Sequence, residues 1–150
     1  MHHMQLGQKE DKVGWEVYEN CKNGAAIIAT AHEHSYSRTK TLIDIENQIV
    51  DSEWSEPNKL RVKEGSTFVF VSGLGGHSIR DQERCLPVSY PYGCNGEWAS
   101  IYTSDQDAFY GALFCTLMLE DNQTKLIVIS KILMEELLMR LLLPTFEEPT

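Results

Sequence analysis

The sequence predicts a mixed α and β domain in which strands predominate and a short helix comes first. Three observations predict it. Apolar residues recur at helical spacing near the N-terminus, short apolar runs rich in β-branched residues follow, and Gly, Pro and Asn separate these runs. The chain has 150 residues, of which 42% are hydrophobic, so it can form one domain with a core. This composition excludes a globally disordered chain.

The first predicted element is a helix whose apolar residues recur at Val13, Val17, Tyr18 and Cys21. Asp11 can cap its start, and Asn23 with Gly24 can end it. A buried strand over residues 25–30 is expected to follow directly.

Three further strands and one loop complete the predicted order. Residues 39–50 have strand composition with a turn near Asn47, and residues 52–58 form a loop. Residues 67–71 are apolar, β-branched and aromatic, which is typical of a buried strand. The last strand, over residues 110–119, is expected to pair into the same sheet.

A glycine-rich turn follows the predicted strand 67–71. Three of the four residues 73–76 are glycine, which allows the backbone to approach a neighbour closely. No Lys-Ser or Lys-Thr follows, so the turn is not a P-loop. We expect a packing turn beside a functional site, with His77 at the surface or supporting that site.

Two histidines spaced one residue apart follow the strand 25–30. In an extended segment the side chains of His32 and His34 point the same way, and neutral imidazole is a common metal ligand. The pair therefore predicts metal ligands, and the alternative is a solvated loop.

Residues 31–39, Ala-His-Glu-His-Ser-Tyr-Ser-Arg-Thr, resemble the last metal-ligand motif of the calcineurin-like metallophosphoesterases, which include the purple acid phosphatases. Ala31 stands where the family has glycine. The resemblance continues through residues 11–21, 68–76 and 110–114 and covers roughly residues 1–120. It implies an α+β fold, the C-terminal part of an α/β/β/α sandwich, mostly β with a short N-terminal helix and a C-terminal helix. Residues 1–124 would form that part.

The resemblance also implies a site. His32 and His34 would bind the two metals of a binuclear centre of iron, zinc or manganese, which hydrolyses phosphate monoesters. Glu33 and Tyr36 would line the substrate pocket. No residue of this chain is assigned a catalytic role, and the phosphate ester is the substrate of the parent enzyme.

Most metal ligands of that family are missing from the sequence. It contains no Asp-x-His, no Gly-Asp and no Gly-Asn-His. We interpret His2 and His3 as solvated terminal residues. The expectation is a fragment that is inactive alone and binds metal at most weakly. The alternatives are a non-catalytic metal-binding or interaction module, or the inert product of a truncated gene.

The net charge of −9 argues against binding to nucleic acid or to anionic membranes. No segment is long and apolar enough to span a bilayer. A half-sandwich without its partner half leaves apolar faces uncovered, so self-association is expected. No signal peptide pattern is visible, although the parent family is of secreted type.

Two features would matter in a secreted protein. Cys85 and Cys94 bracket a Pro/Gly-rich loop and are candidates for a disulfide, but the four cysteines leave the pairing open. Asn122 begins a glycosylation sequon, and such triplets are common by chance.

Residues 125–150 form an atypical Leu-rich tail. Relatives end here with a strand resembling Ala-Tyr-Cys-Tyr-Phe-Lys-Asn-Ile. Synonymous codons can be chosen for residues 125–136 whose alternative frame encodes that ending, which suggests a frameshift near Lys125. The alternative is an ordinary amphipathic C-terminal helix docked on the sheet.

Overall fold

A four-stranded mixed sheet is the centre of the fold. The computed structural model describes residues 4–8, 13–114 and 131–132, with side chains through residue 113. The elements are the helix α1 and eight strands: α1 Trp15–Asn23, β1 Ile28–Thr30, β2 Tyr36–Thr39, β3 Leu42–Asp44, β4 Ile49–Val50, β5 Val69–Ser72, β6 Trp98–Tyr102, β7 Leu113–Phe114 and β8 Lys131–Ile132. The predicted mixed α and β class, mostly strands, is confirmed.

The strand order in the central sheet is β1-β5-β2-β6. β1 and β5 are parallel, with Ile28 opposite Val69, whereas β2 runs antiparallel to both β5 and β6. β2 follows β1 in the chain but lies one position away from it, because β5 inserts between them. The predicted buried strand 67–71 is thus confirmed as a central strand, although β5 begins two residues later, at Val69, and ends at Ser72.

Helix α1 begins later than predicted. Its N-cap is Gly14, which has no side chain to cap the first turn, and Asp11 lies outside the described residues. The predicted end is correct, since the Gly24 N–H donates to the carbonyl of Asn20 at 2.9 Å. The expected apolar stripe is only half covered: Tyr18 is 4% exposed, but Val17 is 52% exposed.

The core lies on both faces of the central sheet. On one face Ile28, Val69 and Ile101 pack with Met4, Leu6 and Tyr18. On the other face Phe68 packs with Leu60 and Val62. Alternation along β5 sends Val69 and Phe70 to opposite faces, which explains why that run is apolar throughout.

The segment 39–50 is a hairpin rather than one strand. Thr39 belongs to β2, and β3 pairs antiparallel with β4 in a separate two-stranded sheet. Its turn is stabilised by Asp44, whose carboxylate accepts from the backbone and the side-chain amide of Asn47, both at 2.9 Å. The predicted loop 52–58 contains a 3₁₀ turn, Ser52–Trp54, capped by the Asp51 carboxylate.

The prediction that the strand at residues 110–119 pairs with the central sheet was wrong. Its described part is β7, which pairs antiparallel with β8 in a two-stranded sheet of its own and not with the central sheet. β8 is the described part of the Leu-rich tail; the predicted C-terminal helix otherwise lies outside the described residues. Among the described residues, no helix is long and apolar enough to cross a bilayer.

Candidate metal-ligand loop

The histidine pair lies on the loop 31–35, between the end of β1 and the start of β2. The glycine-rich turn leaves the end of the parallel neighbour β5. Both loops therefore leave the carboxyl ends of adjacent parallel strands, the edge where open α/β sheets generally bind ligands.

The two loops are in direct backbone contact. The Gly73 N–H donates to the carbonyl of Ser35 at 2.9 Å. A Cβ atom at Gly73 would lie 1.9 Å from the carbonyl oxygen of Glu33, so the position cannot hold a larger residue without movement. The close approach expected of this turn is thus present, and its partner is the histidine loop.

The loop 31–35 is bent rather than extended, so the premise that residues i and i+2 point the same way does not hold there. His32 is exposed and contributes to a groove beside α1. His34 is half-buried, and its Nδ1 lies 2.7 Å from the Ser78 hydroxyl oxygen. The two imidazoles have different neighbours, and their role as ligands of two metals stays a prediction.

His77 lies near the histidine loop as well as at the surface. It is exposed, as expected, but its ring centroid is 6.4 Å from that of His34, with the planes tilted by 58°. Two imidazoles that bind one ion at a tetrahedral angle, through bonds of about 2.1 Å, have a somewhat shorter centroid separation. His77 could therefore join His34 in holding an ion after a small side-chain movement.

Ser78 extends the contact between the two loops. Its hydrogen bond with His34 orients the imidazole, and the Arg80 N–H donates to the His34 carbonyl at 2.9 Å. If Nδ1 donates to Ser78, the lone pair of Nε2 is the one available to a metal, as in sites where a second group fixes the tautomer. Sequence reasoning missed Ser78 because its position depends on the path of the chain after the glycine turn.

Glu33 and Tyr36, the predicted pocket residues, are both enclosed by protein at 2% exposure. The Glu33 carboxylate packs against Gly7, where a Cβ atom would lie 2.3 Å from Oε2. Among the described residues, neither Glu33 Oε2 nor the Tyr36 hydroxyl has a hydrogen-bond partner. Their place in a substrate pocket stays a prediction.

A groove of about 770 Å³ runs beside α1 and β1. It is mainly apolar, and its lining includes Val13, Val17, Tyr18, Ile28 and, at one end, His32. Val17 on α1 is 52% exposed, and Val13, two residues before the helix, is 44% exposed. Self-association through uncovered apolar faces stays a prediction.

Cys85 and Cys94, the candidate pair, are joined by a disulfide with a Cα–Cα distance of 4.8 Å. Glu97 lies beside them, and burial raises the pKa of its carboxyl above the ordinary value. Within the described part of the chain, these three residues are the one group of three His, Cys, Asp or Glu side chains close enough to share an ion. The binuclear centre stays a prediction, and Asn122 lies outside the described residues.

Gln82 is buried, although it lies within the charged segment 80–84. Its side-chain amide nitrogen donates to three carbonyls, those of Arg84, Cys85 and Pro87. Its backbone N–H donates to the Asp105 carboxylate. A single polar residue between charges carries no periodic signal, so this anchor of the Cys85 loop could not be found from the sequence.

Comparison with known proteins gives no match to any family model, curated protein or solved structure.

Proposed function

We propose that this chain contributes the His-x-His corner of a two-metal phosphoesterase site, and that it does not turn over phosphate monoesters by itself. His32 and His34 are the proposed ligands, and the fold is the proposed C-terminal part of a metallophosphoesterase sandwich. The phosphate ester is the proposed substrate of the complete enzyme.

The observation that carries this proposal is the contact between the two loops at the carboxyl ends of β1 and β5. A Cβ atom on Gly73 would lie only 1.9 Å from the Glu33 carbonyl oxygen, so the glycine turn packs directly against the histidine loop. The bond between His34 and Ser78 supports a defined imidazole orientation. Loops held by a rigid parallel strand pair favour a built ligand site over a solvated loop.

The small number of protein ligands for metal in this chain supports the proposal that it does not hydrolyse phosphate monoesters by itself. A catalytic ion generally needs three or more protein ligands, and two metals sharing two histidines would have one each. The sequence lacks the Asp-x-His, Gly-Asp and Gly-Asn-His blocks that supply the rest of such centres in the family it resembles. Metal bound here would polarise phosphate oxygens and activate water only after those ligands were added.

The test measures metal binding and hydrolysis separately. Isothermal titration with Zn²⁺ and Mn²⁺ should give weak binding that His34→Ala reduces and that His32→Ala and His34→Ala together abolish, while p-nitrophenyl phosphate is not hydrolysed above the rate of metal in buffer. Gln48→Ala is a matched control, because Gln48 lies in the β3–β4 turn away from both loops. Binding unaffected by His32→Ala and His34→Ala would overturn the ligand assignment.

A second measurement tests the fragment interpretation. The gene should encode Asp-x-His, Gly-Asp and Gly-Asn-His upstream of Met1, in frame or across an intron. Adding that segment should produce aryl phosphatase activity that His34→Ala removes. A gene without those blocks, or a reconstituted chain whose activity survives His34→Ala, would contradict the proposal.

A non-catalytic metal-binding module is the second candidate, and the approach of His34 and His77 favours it. Two imidazoles whose centroids lie 6.4 Å apart could hold one ion after a small side-chain movement, without any bridging carboxylate. In that case His77→Ala weakens zinc binding as much as His34→Ala does. If the two-metal proposal holds, zinc binding is weakened by substitution of His32 or His34 and not by His77→Ala.

A further inference from the structure

We propose that Cys85, Cys94 and Glu97 form a redox-gated zinc site, closed while the disulfide is intact and able to bind Zn²⁺ once the disulfide is reduced. This site is separate from the histidine loop. It requires neither His32 nor His34 and does not depend on the proposed phosphoesterase function.

The ligand atoms are already close together. One ligand atom from each of the three side chains lies within 4.8 Å of the other two. Ligand atoms around a tetrahedral zinc, with bonds of about 2.0–2.3 Å, lie about 3.5–3.8 Å apart. After the S–S bond opens, small side-chain rotations are therefore enough to place two sulfurs and one oxygen around an ion.

The backbone around the two cysteines is held by bonds other than the disulfide. The Gly93 N–H donates to the carbonyl of Cys85 at 2.8 Å, and the Gln82 side chain donates to the same carbonyl at 3.1 Å. A Cβ atom at Gly93 would lie 2.2 Å from the carbonyl oxygen of Leu86, so the two ends of the loop are in close contact. These contacts would keep both thiols near each other after reduction.

Glu97 is fixed by its own contacts. Its Oε2 accepts from the backbone N–H of Asn95 at 2.9 Å, and its carbonyl accepts from the Lys40 N–H at 2.8 Å next to β2. The residue is 3% exposed. A buried carboxylate whose backbone and one oxygen are both positioned needs little rearrangement to coordinate an ion through its other oxygen.

The three side chains form a site that is buried on one side and open to solvent on the other. Cys85 and Glu97 are buried, whereas Cys94 is exposed, so a reductant and then a metal ion can approach from the Cys94 side. Two thiolates and one carboxylate provide three protein ligands, and water would complete the tetrahedron. Thiolate ligands favour zinc over magnesium or calcium.

The chemistry balances with a dithiol as the reductant. Two electrons and two protons pass to the Cys85–Cys94 bond, which breaks into two thiols, and the reductant forms one new S–S bond. Zn²⁺ then displaces the two thiol protons to solvent and forms two Zn–S bonds and one Zn–O bond with the ionised Glu97 carboxylate.

The test uses Co²⁺ as a spectroscopic substitute for zinc in the full chain carrying Cys21→Ser and Cys115→Ser. A phosphine opens the disulfide, taking its oxygen from water, whose two protons complete the thiols. The reduced chain should give a sulfur-to-cobalt charge-transfer band that saturates at one ion per chain and disappears on adding Zn²⁺. The oxidised chain should give none.

Two variants examine the ligands. Cys94→Ser should abolish the band, and Glu97→Gln should weaken Co²⁺ binding at least about tenfold, the lower end of what disturbing a metal's surroundings costs. His34→Ala should leave the band unchanged, so failure here is distinguishable from failure of the histidine proposal.

Three results would overturn the proposal: no band in the reduced chain, a band that survives Cys94→Ser, or binding that Glu97→Gln leaves intact. Near-ultraviolet circular dichroism of the reduced chain gives a fourth. Loss of its signal without recovery on adding Zn²⁺ would mean that no framework persists to hold the ion.

Discussion

Replacement of Gly73 by alanine tests the contact between the two loops most directly. The added Cβ would lie 1.9 Å from the carbonyl oxygen of Glu33 and 3.1 Å from that of Ala31. Both atoms belong to backbone, so neither can rotate away as a flexible side chain would. The histidine loop, the glycine turn or both must move by about 1.5 Å to restore an ordinary contact distance of roughly 3.4 Å.

The expected cost is that of overpacking, about 1–3 kcal/mol in the free energy of unfolding. The movement also stretches the 2.9 Å bond from the Gly73 N–H to the Ser35 carbonyl. Chemical denaturation measures the free energy, and thermal melting should fall by about 2–4 °C for each kcal/mol lost in a chain of this size.

Gly75→Ala is the matched control. It lies in the same turn, and a Cβ there meets no atom of the described residues within 4 Å. Because alanine lowers the conformational entropy of the unfolded chain, the free energy of unfolding of Gly75→Ala should be unchanged or higher by about 0.4–1 kcal/mol. Equal destabilisation by the two substitutions would refute the reasoning, because it would mean that the turn tolerates no side chain regardless of the contact with Glu33.

Three further predictions concern other parts of the molecule. Burial raises the folded-state pKa of Glu97, so the stability linked to its neutral form is present below the unfolded pKa and lost as pH rises through the folded value. In the oxidised chain, Glu97→Gln should therefore gain stability relative to the native protein between acid and neutral pH, and urea unfolding at pH 4 and pH 7 that shows no such gain would contradict this. The hydrogen bonds from Asn47 lower the pKa of Asp44, so its contribution is present above the unfolded pKa and lost as pH falls through the folded value. Asp44→Ala should then lower the melting temperature at pH 6 but not at pH 2, with equal effects at both values counting against the assignment. Gln82→Ala removes the donor shared by three carbonyls and should cost about 1–3 kcal/mol, whereas the exposed neighbour variant Glu83→Ala should change little in the same denaturation series.

Much of the local structure follows from the sequence. Every residue of the run 67–71 is β-branched or aromatic, and residues 69–71 lie in the central strand β5, because a strand covered on both faces has no polar side to show. Val17, Tyr18 and Cys21 lie on α1 as their spacing predicted, since a helix needs only its own backbone bonds and one apolar stripe. The bracketing of a Pro/Gly-rich loop by Cys85 and Cys94 indicated where the loop ends could meet.

The candidate site was predictable in its residues but not in its geometry. His32 and His34 were singled out by spacing after a strand. Residues 31–35 bend where the chain reverses from β1 into β2, which pairs antiparallel with β5 on the side away from β1. The approach of His77 and Ser78 depends on the same path, and the Cys85–Cys94–Glu97 group depends on how the loop returns to β6.

The sequence by itself indicated the helix α1, the strands β1 and β5 and the residues that carry ligand chemistry, because periodicity, turn residues and side-chain type are local properties. It gave no prediction for β6, although β6 lies in the central sheet. Tertiary structure alone decided the strand order, the separate pairing of β7 with β8 and the contact of Gly73 with Glu33. These features depend on which segments, distant in the chain, bury apolar surface against each other. The hydrogen bonds and steric contacts between such segments cannot be read from the residue pattern of either segment alone.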